Sequence, residues 1–330
     1  MLEVLVDRIT DATRFLKSCM EAQPFQEFDV PIVAESAAGQ RRNNITGYLF
    51  ALPWFIGFFG FTLYPMISSL YYSFTSFNTM QAPKWIGLRN YTVMFTRDPL
   101  FWKSVGNTFY YAALSVPAGI IASLTMAVLL NQKARGIRVF RTLFYLPTVI
   151  SSVALSLLWL WMFEPSYGLL NTFLSWFGVK GPKWLSDPAW AKPSLVLMSI
   201  WTVGGNMLIY LAALQDVPKS LHEAAFIDGA GVFTRFTRVT IPMITPTIFF
   251  SLVTGFIGSM QVFGQAFIMT GGGPAYSTYF YAYELYDKAF VSYQMGFASA
   301  MAWVLLVITM ILSLAILGTS RKWVYYEGDK

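Results

Sequence analysis

Ser220-Leu-His-Glu-Ala-Ala-Phe-Ile-Asp-Gly-Ala-Gly-Val-Phe-Thr-Arg-Phe-Thr-Arg-Val-Thr-Ile-Pro242 is a polar, charged stretch set between two long apolar runs. A connection between two membrane spans is normally short and plain; this one carries its own helix start, helix stop and second helix. Ser220 and Glu223, three apart, have the spacing of a capping box, in which each side chain satisfies an orphan N–H. Ala224 and Ala225 keep the first helix thin. Asp228-Gly229-Ala230-Gly231 stops it, because glycine takes the left-handed conformation that other residues resist. A second short helix follows, with Val232, Phe233, Phe236 and Val239 apolar and Arg235 and Arg238 expected outward. The pattern predicts a hairpin over 216–242 that docks against something in the aqueous phase; the plainer alternative is an amphipathic connector capping the bundle.

The surrounding chain reads as membrane. Hydrophobic residues make up 55% of the 330, charged residues only 12% and aromatics 18%, and the mean hydropathy is +0.51. Soluble domains do not have this balance. Runs long enough to cross a hydrocarbon core of roughly 30 Å occur near 47–74, 108–130, 141–163, 193–214, 243–268 and 297–319. The fold class is therefore all-α, a polytopic membrane protein of six spans over 47–322, with a short tail at 323–330. Arg141, at the edge of its run, is the one charged residue in these segments.

Lys and Arg set the orientation. Fifteen of the 23 fall in segments on the same side as the N-terminus and eight on the other. The positive-inside bias puts both termini and the 216–242 hairpin in the cytoplasm. The basic residues flank apolar runs and form no stripe with interleaved aromatics, so no nucleic-acid partner is expected. Residues 1–46 are different in kind. Leu2, Leu5, Val6, Ile9, Leu16 and Met20 recur at helical spacing among charges, which predicts a cytoplasmic amphipathic segment lying on membrane lipid or packed on protein. Residues 34–46 read as a flexible linker. Cys19 is the single cysteine; it excludes an internal disulfide and argues against a cysteine metal site.

What the spans lack narrows the function. Ion-gradient carriers and voltage sensors need ionisable groups at membrane depth, and these spans hold none. No G-x-x-x-x-G-K-[ST] string provides a phosphate-cradling loop. The chain is thus not expected to be an enzyme, and no cofactor or metal is implied. Free energy for uphill transport must enter through another polypeptide; a gradient-driven carrier or pore acting alone remains the alternative.

The 220–242 stretch resembles the Glu-Ala-Ala loop of permease subunits in bacterial binding-protein-dependent ABC importers. Glu223, Ala224, Ala225, Gly229 and Pro242 match the family pattern at the right spacing, with Val239 and Ile241 in place of its Ile and Leu. Further stretches are similar to the carbohydrate branch of that family, the maltose, lactose and glycerol-3-phosphate type. They include Gly87-Leu-Arg-Asn-Tyr91, Phe140-Arg-Thr-Leu-Phe-Tyr-Leu-Pro147, Tyr167-Gly-Leu-Leu-Asn171 and Thr270-Gly-Gly-Gly-Pro274, in order over roughly 45–322. The large periplasmic insertion of the maltose-type subunit is absent.

The resemblance implies a type I permease fold in the inner membrane and a second permease subunit, a paralogous one. It further implies two cytoplasmic ATP-binding subunits and a periplasmic binding protein delivering carbohydrate. Ser220, Glu223, Ala224, Ala225, Asp228, Gly229 and Arg235 would then couple to the ATPase. Candidate substrate-path residues are Asn206, then Gln261 and Gln265 at i and i+4 on one helical face, with Trp159 and Trp201 for stacking on sugar; helix packing is the alternative role for each. The outer segments carry eight basic residues against Asp98, Glu164, Asp187, Glu284 and Asp287. That surplus suits an acidic carbohydrate, such as a uronate oligosaccharide like alginate, or a phosphorylated polyol; it suits the docking of a binding protein better still. A non-carbohydrate solute would change only the cavity lining.

Overall fold

The architecture, taken from a computed structural model that describes residues 37–132 and 134–325, is helical throughout, with isolated bridges as its only β pairing among those residues. The chain opens with α1 (Ala37–Gly57), a π-helical turn at Phe58–Leu63 and α2 (Tyr64–Ser73). On the far side of the first span come α3 (Arg89–Thr96) and the long α4 (Pro99–Leu130). Next are α5 (Ile137–Val149), α6 (Ser152–Met162), α7 (Leu169–Trp176), α8 (Pro188–Trp201) and α9 (Gly204–Asp216). The remainder is α10 (Lys219–Ile227), α11 (Val232–Arg235), α12 (Ile241–Met243), α13 (Thr245–Met260), α14 (Gly264–Met269), α15 (Tyr281–Tyr286) and α16 (Met295–Ser320). The chain divides into two units, 1–63 and 64–330. In the first, Trp54 stacks on Phe58 with centroids 5.3 Å apart, and the described side chains are largely unburied.

Three spans are single helical runs: Thr46–Ser73, Pro99–Leu130 and Met295–Ser320. The other three are bent pairs, α5 with α6 at 101°, α8 with α9 at 50°, and Val232–Met243 with α13 at 63°. Six crossings therefore hold by length and composition, but the run expected over 141–163 is broken. Pro147 removes an N–H near the break, Ile150 is extended, and the Ser151 hydroxyl caps the new helix at Ala154 N, 3.3 Å away. The run expected over 243–268 also breaks, ending at Met260 and restarting at Gly264. Residues 34–46 were expected as a linker, yet helix begins at Ala37; Ala, Gln and Arg there extend a helix at little cost. The amphipathic expectation for 1–36 and the last five residues of the tail lie outside the described residues. Where the tail is described, it folds back: Tyr325 N donates to Thr245 Oγ1 at 2.9 Å.

α4 is the organising element of the larger unit, packing along α9, α13 and α8. Asp98 caps it by accepting from Leu100 N at 3.0 Å, and Pro99 takes the first helical position, where no N–H is needed. Its buried face carries Ser104, Thr108, Ser115 and Ser123 among apolar neighbours. Thr108 and Ser123 return their hydroxyls to carbonyls one turn back, which satisfies them where water is absent. Around this helix, Tyr111, Trp159, Phe163, Leu195, Met198 and Phe280 form one apolar cluster, and Met207, Tyr210, Leu211, Leu214 and Ile244 another nearer the hairpin. Close approach of backbones locks the two bent spans together. A Cβ on Gly204 would collide with the Phe144 carbonyl and stand 2.8 Å from Tyr145 Cα.

The 270–294 connection docks on the first turns of α4. Asn107 Nδ2 donates to Tyr276 O at 2.8 Å and Tyr279 O at 3.1 Å, and Tyr281 N donates to Thr108 Oγ1 at 2.9 Å. Lys288 pairs with Asp98 at 2.7 Å. Beside them Glu284 is fully buried. The Ser104 hydroxyl meets both Phe101 O, at 2.9 Å, and Glu284 Oε2. A hydroxyl has one proton, so both contacts are satisfied together only when Glu284 is protonated and donates.

Burial pushes the Glu284 carboxyl up to about 7; Asp98 and Asp287 add to the rise, while Ser104 and Lys288 oppose it. The folded protein then binds a proton that the unfolded chain releases from about pH 4.5 upward. Stability is full below that pH, falls as pH rises to about 7, and is level beyond. Thermal unfolding of the detergent-solubilised protein should show that decline, and Glu284→Gln, which keeps the shape without the charge, should flatten it. An unchanged slope in the Gln variant would show that Glu284 is not its source.

Candidate functional site

Two features stand out from the packing: the hairpin between α9 and α13, and a polar cavity inside the bundle. In the hairpin α10 begins at Lys219 with Pro218 at the cap and no side-chain cap. The expected capping box is therefore absent. Ser220 sits inside the first turn because proline, held at φ −58° with no N–H, already starts the helix one residue earlier. The stop is as expected. Gly229 has φ +77°, its N–H donates to Phe226 O at 3.0 Å, and Ala230 N donates to Ala225 O at 2.9 Å. Those two bonds are the Schellman termination, with Asp228 at the cap.

The helix presents Glu223 and Ala224 outward and half-buries Ala225. Ile227, Val232 and Phe233 stand 83%, 76% and 78% exposed, an apolar tip that none of the described residues covers. Arg235 was expected outward; it folds back over the Phe226 ring, 5.5 Å from its centroid, bracing one arm of the hairpin on the other. The second arm turns π-helical over Phe236–Thr240. Pro242 cannot donate to Arg238 O and crowds it, so the ladder widens by one residue before the span.

The cavity, about 400 Å³, lies among α4, α8, α9, α13 and α14. It is lined by Tyr111 and Ser115 from α4, Ser199 and Thr202, Asn206, Ser251 and Ser259, and Gln265, with Gly119, Gly255 and Gly258 keeping it open. No Asp, Glu, Lys, Arg or His is among the lining residues. Tyr111 Oη reaches Gln265 Oε1 at 3.4 Å, and Ser251 Oγ is buried without a hydrogen-bond partner. Neutral hydroxyls and amides in an apolar wall suit a polyhydroxy solute, to which they can both donate and accept hydrogen bonds.

Of the five path candidates, two line the cavity, Asn206 and Gln265. Gln261 does not; it caps α13 and faces out. Its i, i+4 partnership with Gln265 fails because the helix breaks between them. Trp159 is 3% exposed and packs within the apolar cluster, while Trp201, half exposed, meets it edge-on at 5.8 Å; neither lines the cavity. The residues that sequence reasoning missed carry a visible signal. Tyr111-Ser115-Gly119 and Ser251-Gly255-Ser259 recur every fourth position, so each marks one polar or small face of an apolar helix.

Comparison with known proteins agrees with these features. Residues 115–325, which include the hairpin and every cavity-lining residue except Tyr111, match the family described as binding-protein-dependent transport system inner membrane component. The probable ABC transporter permease protein YesP of Bacillus subtilis is 44% identical over 294 residues, 88% of this chain and 95% of that protein. The lactose transport system permease protein LacF of Rhizobium radiobacter is 36% identical over 281 residues, covering 83% and 93% of the two chains. A subunit of a bacterial alginate ABC transporter, solved in complex with an alginate pentasaccharide-bound periplasmic protein, superposes with a TM-score of 0.75 at 26% identity over 86% of this chain and 96% of its own. On these matches the chain belongs to the family of inner-membrane permease components of binding-protein-dependent ABC transporters, multi-pass and without catalytic function of its own.

Proposed function

We propose that the chain forms half of the translocation path for an oligosaccharide or related carbohydrate, the other half coming from a paralogous permease subunit. A periplasmic binding protein delivers the sugar at the face carrying the 270–294 connection. Two ATP-binding subunits dock on the 216–242 hairpin, on the cytoplasmic side with both termini. The observation that carries this reading is the hairpin: a tip of large apolar side chains left uncovered on a connector whose turn is rigid. Rigidity matters because a flexible tip would absorb a push, whereas the Schellman turn and the Arg235–Phe226 contact pass it to α9 and α13. ATP-driven closure of the docked subunits then tilts the bent spans between two discrete arrangements. The sugar assignment rests on the uncharged, hydroxyl- and amide-lined cavity together with relatives that transport lactose and, by name, trehalose/maltose.

Two tests separate the parts. Gly229→Val forces a β-branched side chain into the left-handed region at a cost of about 1–2 kcal/mol, and Glu223→Lys reverses the charge on the docking face. Either change should abolish sugar-stimulated ATP hydrolysis in the reconstituted importer while the binding protein still binds its sugar; surviving stimulation would refute the coupling role. Gln265→Leu removes the amide across from Tyr111. Uptake should fall about tenfold, the value of roughly 1.4 kcal/mol for one lost hydrogen bond, with basal ATP hydrolysis retained. Uptake unchanged in that variant would take the cavity out of the path.

A further inference from the structure

The cavity carries no cation, but its outer approach does. Lys192 of α8 donates to Asn107 Oδ1 at 3.0 Å, and Lys103 of α4 donates to Ala275 O at 2.7 Å. Asn107 in turn donates to Tyr276 O, so both lysines are tied to the same turn. Neither meets a carboxylate: among the described residues the one ion pair is Lys288 with Asp98. The two ammonium groups repel each other, and each is left bonded to a neutral oxygen with N–H directions to spare. Lys192 lies over the Tyr110 ring at 4.6 Å and Lys103 is 5.7 Å from the Tyr276 ring. Both rings are substantially exposed, 43% and 50%.

Helix geometry places this group above the cavity. Asn107, Tyr111 and Ser115 follow one another every fourth residue along α4, and Lys192 precedes Ser199 by seven on α8. At ~1.5 Å per residue Asn107 lies about one turn outward of the cavity residue Tyr111, and Lys192 about two turns outward of the cavity residue Ser199, on the facing sides of the same two helices. Two unneutralised cations beside two aromatic faces, at the mouth of a path whose interior is uncharged, match one chemistry. Tyrosine rings take the apolar face of a pyranose, and the ammonium pair takes its carboxylate.

We infer that Lys103 and Lys192, flanked by Tyr110 and Tyr276, form an outer binding site for the carboxylate of a uronate-containing oligosaccharide. The inference rests on the sugar-importer reading above and narrows its substrate. It is consistent with the structural neighbour that imports the acidic polysaccharide alginate.

The test uses the whole importer, with its partner permease, ATPase subunits and binding protein, in proteoliposomes. The probes are a trigalacturonate and neutral maltotriose, each at saturating binding protein. Lys192→Gln with Lys103→Gln should lower the ratio of uronate to neutral uptake about tenfold, while Lys192→Arg with Lys103→Arg holds the ratio. The affinity of the binding protein for the importer, measured separately, should not change. Equal loss on both probes, or no loss, overturns the site. Weaker docking of the binding protein overturns it too, and assigns the lysines to acidic side chains of that partner. If the wild-type importer responds to maltotriose and ignores the uronate, this inference fails and the sugar reading stands. If no carbohydrate stimulates ATP hydrolysis, the sugar reading itself fails.

Discussion

A polar group placed in hydrocarbon must find its partner inside the protein, and in this chain α4 is where that requirement is met. Its hydroxyls are either turned back on its own carbonyls or turned toward α8, α9 and α13. Thr108 goes further and accepts a backbone N–H from the 270–294 connection. The same face therefore holds three functions that usually compete. It seats the neighbouring spans, closes the outer loop onto the bundle and lines the cavity. A purely apolar helix would pack as tightly but would leave the loop and the cavity without bonds to make.

The bent spans follow from a second constraint. Backbone may leave helical geometry at membrane depth only where protein, not lipid, receives the freed groups. Each bend obeys it with local means: Ser151 capping α6, Gly204 letting α9 reach the backbone of α5, and the π-helical turn before Pro242 relieving the ladder. A discontinuous span is stiff on either side of its break. That is the mechanical form the proposed coupling of hairpin to cavity requires, because displacement would be carried by rigid pieces and not lost in bending.

Much of this was legible in the chain. Six apolar runs and a charged hairpin with glycine at its turn depend on composition and short-range spacing, and both reappear in the structure. Asn206 and Gln265 stood out as amides inside apolar runs, and both line the cavity. For Trp159 the chain left two roles open, since an aromatic suited to stacking on sugar is equally suited to filling a core, and only its neighbours place it in the apolar cluster. Gln261 was misread because an i, i+4 rule presumes an unbroken helix. Ser220 was misread because Pro218 starts the helix before it.

What the amino-acid order determined alone is the solvent each segment prefers and where a backbone must turn, because hydropathy and the allowed φ of glycine and proline are properties of single residues. What only the tertiary structure decided is which polar side chains share a space. Tyr111, Ser251 and Gln265 are far apart in the chain, and they line one cavity because three helices cross at angles set by packing. The same holds for Lys103 and Lys192: two ordinary interfacial lysines become one electropositive site when Asn107 and a single turn hold them side by side.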